Sequence, residues 1–348
     1  MAFRRLLATL AGGMALTVAS ACGGGNDGDA TLTVVTHDSF NLSEELIAEF
    51  EEEHDVTVQL LPKGDAGSML TSLILTKGNP EGDVAFGVDN TFLSRALDEG
   101  VFEEYESPAR ENVPENLRPD SSFVTPIDFG YVNFNYDIAW FEENDIAPPT
   151  TLEELLLPEY EGLVVVSNPA SSSPGLAFLI ATVEYFGEDG YLDWWQGMRE
   201  NGLAVVDGWE TAYYTNFTRA GGEQPIVLSY ATSPAFEQMF ADPPSEDSPT
   251  ANILPAGGVF RQVEYAGILS GTENREHAEA FIDFLLSVPV QEDIPGQMAV
   301  YPVNSEAAVP DAFARFSEVT VPVAEVGPET IAANRQQWID DWTRTVLR

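Results

Sequence analysis

Short apolar runs and amphipathic stretches alternate along the first hundred residues of the 348-residue chain. Residues 32–36, 56–61 and 83–88 are apolar and rich in β-branched side chains, and read as strands. The segments after them, ending near Glu52, Thr76 and Glu99, repeat apolar residues at helical spacing. Asn41 with Glu44 three residues later predicts a capping-box start for the first of these helices. The same grammar returns further on, where strands at 163–166, 203–206 and 225–230 precede helices at 174–186, 211–219 and 234–240. Alternation at this spacing predicts an α/β chain whose mostly parallel sheet carries helices on both faces. Two long extended stretches, 124–136 and 251–269, interrupt the rhythm. Segments that leave one α/β set and later return to it predict two lobes joined by a double crossover. No internal repeat relates the lobes in sequence.

In open α/β sheets ligands sit beyond the carboxyl ends of the strands. That rule nominates His37, Asp38 and Ser39, then Asp65, Asp89 and Asn90, Ser171 to Ser173, Trp209, and Tyr230 through Ser233. Two of these turns share a form, Ser172-Ser173-Pro174-Gly175 and Thr232-Ser233-Pro234. Proline at a first helical position wastes no donor, so the neighbouring N–H groups and hydroxyls can cradle an anion or a hydroxyl. The same residues also serve as plain N-caps. Trp209 and Tyr230 at strand ends, beside Asp38, Asp65 and Asp89, suit a flat cation, each cation–π contact contributing about 0.5 to 2 kcal/mol. Core packing for the aromatics and capping for the aspartates are the plainer alternatives.

Catalytic chemistry finds little support. His37, His54 and His277 lack metal-ligand spacing, no glycine-rich phosphate loop follows a strand, and no G-x-S-x-G elbow is present. Tyr213-Tyr214 is the form of pair that can bind ferric iron, but neighbours on a helix diverge by about 100°, which favours a core or surface role. No enzyme activity, metal or cofactor is called for.

The N-terminus reads as an address. Arg4 and Arg5 precede an apolar run to Val18, and Ala19-Ser20-Ala21-Cys22 then meets a glycine stretch, the signature of a secretory signal ending in a lipidation site. Cys22 is the only cysteine, so no internal disulfide can form. Residues 23–30 become a flexible tether to a membrane that the protein does not span. The 57 acidic and 15 basic side chains leave a net charge of −42, which excludes nucleic acid and anionic lipid surfaces as partners. Loss of residues 1–22 leaves 13 basic side chains and a charge of −44. Only Lys63 and Lys77 are lysines, and so acidic a surface fits a saline medium, where self-repulsion is screened.

An exported, tethered, two-lobed chain without catalytic apparatus reads as a solute-capturing protein. At this point particular segments carry a likeness. Thr36-His37-Asp38-Ser39-Phe40, Gly87-Val88-Asp89-Asn90, Asp128-Phe129-Gly130-Tyr131, Ser172-Ser173-Pro174-Gly175-Leu176, Gly208-Trp209, Leu228 through Ala235, Tyr301-Pro302-Val303 and Arg335-Gln336 with Trp338 and Trp342 keep their order over nearly the whole mature chain. In them the chain resembles the thiamine-binding substrate-binding proteins of bacterial ABC uptake systems.

The resemblance implies a type II periplasmic-binding-protein fold with two lobes, a hinge of two crossover segments and a ligand enclosed between the lobes. It puts one lobe at 31–127 with 258–348, whose last helices partly bridge, and the other at 128–257. It implies ligand contacts at Asp65, Ala66, Ser172, Ser173, Trp209, Tyr230, Ala231, Thr232 and Ser233, with Asp38, Asp89, Asp128 and Phe236 in a second rank. Trp209 and Tyr230 would flank the rings of thiamine, Asp65 would pair with the cation or aminopyrimidine, and the serines and Thr232 would take the hydroxyethyl or phosphate tail. Enteric members carry Tyr at the positions of His37 and Phe236 and Trp at that of Ala299, so the aromatic cage is thinner here. The implied activity is capture of thiamine or a thiamine phosphate by a monomer and its delivery to an ABC permease. A ferric-iron or polyamine receptor is the alternative within binding proteins.

The acidic surface makes a testable statement. Urea midpoints measured at rising NaCl should increase as salt screens self-repulsion; a flat series would remove the saline reading.

Overall fold

The computed structural model describes residues 30–348. The signal segment, Cys22 and the tether up to residue 29 lie outside the described residues. Eleven strands are described: β1 (Ala30–Thr36), β2 (Val56–Pro62), β3 (Val84–Asp89), β4 (Phe102–Glu103), β5 (Thr125–Asp137), β6 (Val164–Ser167), β7 (Ala204–Val206), β8 (Ile226–Tyr230), β9 (Thr250–Ile253), β10 (Phe260–Leu269) and β11 (Tyr301–Pro302). The main path runs β2-β1-β3-β10-β5-β8-β6-β7, with β4 on β10 and both β9 and β11 on β5.

At the two ends of this path the strands are parallel, β1 with β2 and β3, β6 with β7 and β8. Residues in β3 and β6 are buried at every position, which is why those runs are continuously apolar rather than alternating. The middle differs from the mostly parallel expectation. β5 and β10 are antiparallel to each other, and each also pairs antiparallel with a lobe strand, β8 and β3 respectively. The reason lies in the crossovers: each long strand leaves one lobe and enters the other, so different stretches of it pair with different neighbours within one continuous sheet. The β5–β10 register shifts between Glu264 and Tyr265, and the β10–β3 register between Tyr265 and Ala266. An irregularity there lets one strand change partners.

Two helix starts depart from expectation. The first helix, Glu44–His54, has Ser43 rather than Asn41 at its N-cap, and the Ser43 side chain does not cap it. Ser43 instead donates its N–H and hydroxyl to Asp293 at 2.8 and 3.0 Å, a tertiary partner that a local pattern cannot show. The helix expected at 211–219 is a single turn, Trp209–Thr211, running into the wider π turn Ala212–Asn216. The wider turn brings Ala212, Tyr213 and Phe217 together against Val165 and Val227.

The C-terminal helix, Pro328–Val346, crosses between the lobes. Trp342 is fully buried and meets Trp195 of the second lobe edge-on, with ring centres 5.6 Å apart. Seven residues earlier, the Arg335 guanidinium lies over the Phe92 ring of the first lobe at 5.6 Å. Among the described residues no helix is long and apolar enough to cross a membrane.

Trp342→Ala should lower unfolding stability by about 3 to 5 kcal/mol, as expected for emptying a buried indole site. Urea denaturation followed by far-UV circular dichroism measures it, and a loss below about 1 kcal/mol would mean that the helix does not tie the lobes.

Candidate functional site

The strand ends of both lobes meet around a cavity of about 240 Å³. From the first lobe it is lined by His37, Asp38 and Ser39 after β1, and by Gly64, Asp65 and Ser68 after β2. The second lobe supplies Ser173 and Pro174 after β6, residues 207–211 after β7, and Tyr230 at the end of β8. Glu264 on the crossing strand and Met298, Ala299 and Val300 complete the wall.

Asp65 is the N-cap of the helix Ala66–Thr76 and spans the gap between lobes. Its Oδ1 accepts the Ala66 N–H at 2.7 Å and the Ser173 N–H at 3.2 Å, while Oδ2 accepts the Trp209 N–H at 3.0 Å. Burial pushes this carboxyl up from its usual range, opposed by hydrogen bonds to it, that of the Trp209 N–H foremost. The neighbouring Gly67 N–H donates to the Ser171 carbonyl at 2.9 Å. A Cβ at Gly67 would stand 2.9 Å from the Ala170 and Ser171 backbone and from the Phe92 ring, so only glycine lets the second lobe approach this closely.

On the crossing strands an acidic group lies at the cavity. Glu264 faces Asp128 across the β5–β10 ladder and reaches His37 Nε2 at 3.4 Å. The Ser39 N–H donates to His37 Nδ1 at 3.1 Å, which places the ring proton of a neutral imidazole on Nε2, toward Glu264. Burial pulls the His37 pKa down, but the carboxylates of Glu264, Asp65 and Asp38 outweigh it, and the net direction is up. Asp128 is fully buried with neither oxygen hydrogen-bonded, and burial together with the facing Glu264 holds it far above the usual carboxylate range. Asp89 is buried as well and pushed up to about 7, burial being the main cause. Its Oδ1 caps the following turn by accepting from Thr91 and Phe92, and Oδ2 has no partner.

The aromatic wall is built by Trp209 and Tyr230, with ring centres 6.2 Å apart. Trp209 stacks on Tyr213 and donates its indole N–H to Ser229 Oγ at 2.8 Å. Tyr230 donates to the Gln262 side chain at 3.1 Å, and Gly130 leaves room for its ring, since a Cβ there would stand 2.8 Å from Tyr230 Cδ1.

Of the expected residues, Asp38, Asp65, Ser173, Trp209 and Tyr230 line the cavity, and His37 lies among them. Ala66, Ser172, Ala231, Thr232 and Ser233 are buried and outside its lining. The hydroxyl turns start helices at Ser173 and Ser233, yet neither Ser172 nor Thr232 caps with its side chain. Ser172 donates to Ser167, Ser233 shares a hydrogen bond with Ser229, and the Ser173 and Thr232 hydroxyls have no partner. Asp89 and Asp128 are absent from the lining, and Phe236 lines an adjoining depression with Tyr214 and Gln297. Glu264, Asp207, Glu210, Met298 and Val300 were not anticipated, while Ala299 lines the cavity where the resemblance put a thinned aromatic cage. Glu264 sits in mid-strand, where the strand-end rule does not look; its one sequence signal is a charge flanked by Val263 and Tyr265.

A cleft between two α/β lobes, reached by strand ends from each and crossed by two shared strands, defines a two-lobed periplasmic-binding-protein fold. Residues 80–319 match the family model described as bacterial extracellular solute-binding protein, and the chain belongs to that family. The chain is 32% identical over 323 residues to the thiamine-binding periplasmic protein of Escherichia coli K12, covering 91% of this chain and 94% of that one. A solved periplasmic thiamin binding protein superposes with a TM-score of 0.79 at 29% identity, over 93% of this chain and 98% of the other. A ferric binding protein from Campylobacter jejuni shares the fold, with a TM-score of 0.72 at 17% identity over 90% of this chain and 99% of that one.

Gly67→Ala separates lobe closure from folding. Alanine inside a helix is favoured over glycine by up to about 1 kcal/mol, but the buried Phe92 ring of the same lobe must give way, so any loss of unfolding stability should stay within about 1 to 3 kcal/mol. Contact between the lobes should nevertheless be lost, seen as a larger radius of gyration in small-angle scattering than for the parent protein. An unchanged radius would show that the approach at Gly67 is not limiting.

Proposed function

We propose that the protein is an extracytoplasmic receptor that encloses thiamine between its lobes and hands it to an ABC permease. The observation that carries this is the pairing of an aromatic wall, Trp209 and Tyr230, with a lining whose charged groups are carboxylates apart from His37. Thiamine is a flat two-ring molecule with a fixed positive charge on its thiazolium. An indole or phenol face attracts such a ring through its quadrupole, and nearby carboxylates add a longer-range attraction that water exclusion strengthens. The relatives named thiamine-binding support the same ligand.

Capture follows from the geometry. A ligand that touches both lobes favours the closed arrangement, and the crossing strands β5 and β10 are where the chain bends. Asp65 contributes to closure through the N–H groups of Ser173 and Trp209, as well as by its charge. Lipid on Cys22 would hold the receptor beside its permease, and one copy suffices for the site. A ferric-iron receptor would use Tyr213 and Tyr214, but Tyr213 is buried with its hydroxyl on Glu237 and Tyr214 is largely exposed. Neither phenol lines the cavity between the strand ends.

Calorimetric titration with thiamine, spermidine and ferric citrate, with tryptophan fluorescence in parallel, separates these ligands. Thiamine should release or absorb heat and quench fluorescence, and Trp209→Ala should weaken it about tenfold, the equivalent of roughly 1.4 kcal/mol. No response to thiamine would overturn the proposal, and an unchanged affinity in Trp209→Ala would move the ligand away from this wall.

A further inference from the structure

We infer that a row of carboxyl groups across the crossing strands exchanges protons for the ligand's positive charge, so that capture of the cation releases protons and acid weakens binding; the inference rests on the thiamine reading above. Strand register sets the row. Glu264 on β10 has Asp128 of β5 as its partner on one side and Asp89 of β3 on the other. Asp89 and Asp128 are fully buried and Glu264 is 8% exposed, so little water screens the three carboxyl groups from one another. Of the three, Glu264 lines the cavity.

The surroundings do not answer three negative charges. Both oxygens of Asp128 and Oδ2 of Asp89 lack a donor, and the residue paired with Asp128 on β11 is Pro302, which carries no charge. Among the described residues one basic side chain pairs with the row, His37 against Glu264 at 3.4 Å. Arg335 of the C-terminal helix lies over Phe92, and its charge acts on Asp89 from there. The other facing groups are acidic or neutral. Asp65 and Asp38 act on His37, and the Tyr230 phenol, kept neutral by burial and by Glu264, donates to Gln262. Tyr265 is kept neutral by burial and by Asp89.

Buried carboxyl groups side by side keep protons at a pH where solvated ones have lost them. Burial and the facing Glu264 do this to Asp128, and Asp89 is pushed up to about 7, burial being the main cause. A fixed cation docked against Glu264 reverses the balance, since an opposite charge within about 4 to 6 Å lowers a carboxyl pKa by about 1 to 3. What the cation does to Glu264 it does more weakly to the two neighbours. Protons and ligand therefore oppose each other, each weakening the other's binding by the same factor. Affinity is full above the carboxyl pKa of the free receptor and falls as pH drops through it toward the lower pKa of the complex. His37 acts in the same sense, because an imidazolium beside Glu264 competes with the ligand for that carboxylate.

Calorimetric titration of the purified protein with thiamine, in two buffers of different ionisation enthalpy, counts the protons directly, because each proton released adds the buffer's own heat. At about pH 7 at least about 0.3 proton should leave per thiamine bound, and the dissociation constant should fall at least about threefold between about pH 6 and about pH 8. Asp128→Asn keeps the shape and removes the ionisation, and should cut the release by at least about half. Glu264→Gln relieves the facing pair and should do the same, which keeps the test open where one variant does not fold. His37→Gln should leave the release from the carboxyl row in place. Thiamine binding with no proton exchange, proton uptake in place of release, a release abolished by His37→Gln, or folded carboxyl variants that release as many protons as the wild type would each overturn the inference. Failure of thiamine to bind the wild type at any pH would instead overturn the functional reading, and this inference with it.

Discussion

The antiparallel pairing of β5 with β10 is the constraint on which the rest of this molecule depends. Each strand is long enough to serve both lobes, and their shared ladder sets the lobes side by side with strand ends facing one cleft. A ladder with the register shift at Glu264 and Tyr265 can bend without breaking its neighbouring hydrogen bonds, which suits a hinge. The same pairing lays Glu264, which lines the cleft, opposite the buried Asp128 behind it. Two carboxyl groups that close in a buried place disfavour each other's ionised form, and burial with the facing Glu264 raises the pKa of Asp128 well above the usual carboxylate range. The hinge is thus also the source of the acidic floor.

That floor gives the large negative charge of the chain a local meaning. Many of the 57 acidic residues lie on solvated surface, as on the helix stretch Glu44 to Glu53, where salt screens them beyond about 8 Å at physiological strength. The carboxylates lining the cleft are few, partly shielded from water and close enough to one another to act together. Asp65 differs from the rest because its charge is answered by backbone N–H groups from both lobes. Its partner groups come from both lobes, so charge and interlobe contact meet at a single side chain.

Much of this was legible in sequence because it is local. Alternating strand and helix patterns marked the lobes, and the rule that ligands gather at strand ends picked out Asp38, Asp65, Ser173, Trp209 and Tyr230, all of which line the cavity. The hydroxyl turns were recognisable as helix starts, but their chemistry was not: Ser172, Thr232 and Ser233 face inward to neighbours or to nothing instead of capping. The helix expected at 211–219 became a wide π turn because three apolar side chains had to reach the same two valines. The antiparallel centre of the sheet escaped notice because strand direction is a property of where a chain returns.

The sequence by itself determined the class of fold, the two crossing segments, the aromatic pair and the set of loops that could form a site, since each depends on neighbours a few residues away. Only the tertiary structure decided what those loops do. Asp65 finds Ser173 across 108 positions of chain and Trp209 across 144. Glu264 enters the site from the middle of a strand, and His37 comes to face it only because β1 and β10 flank β3. Hydrogen bonds and charges act over a few ångströms, and which groups come within that reach is settled by packing alone.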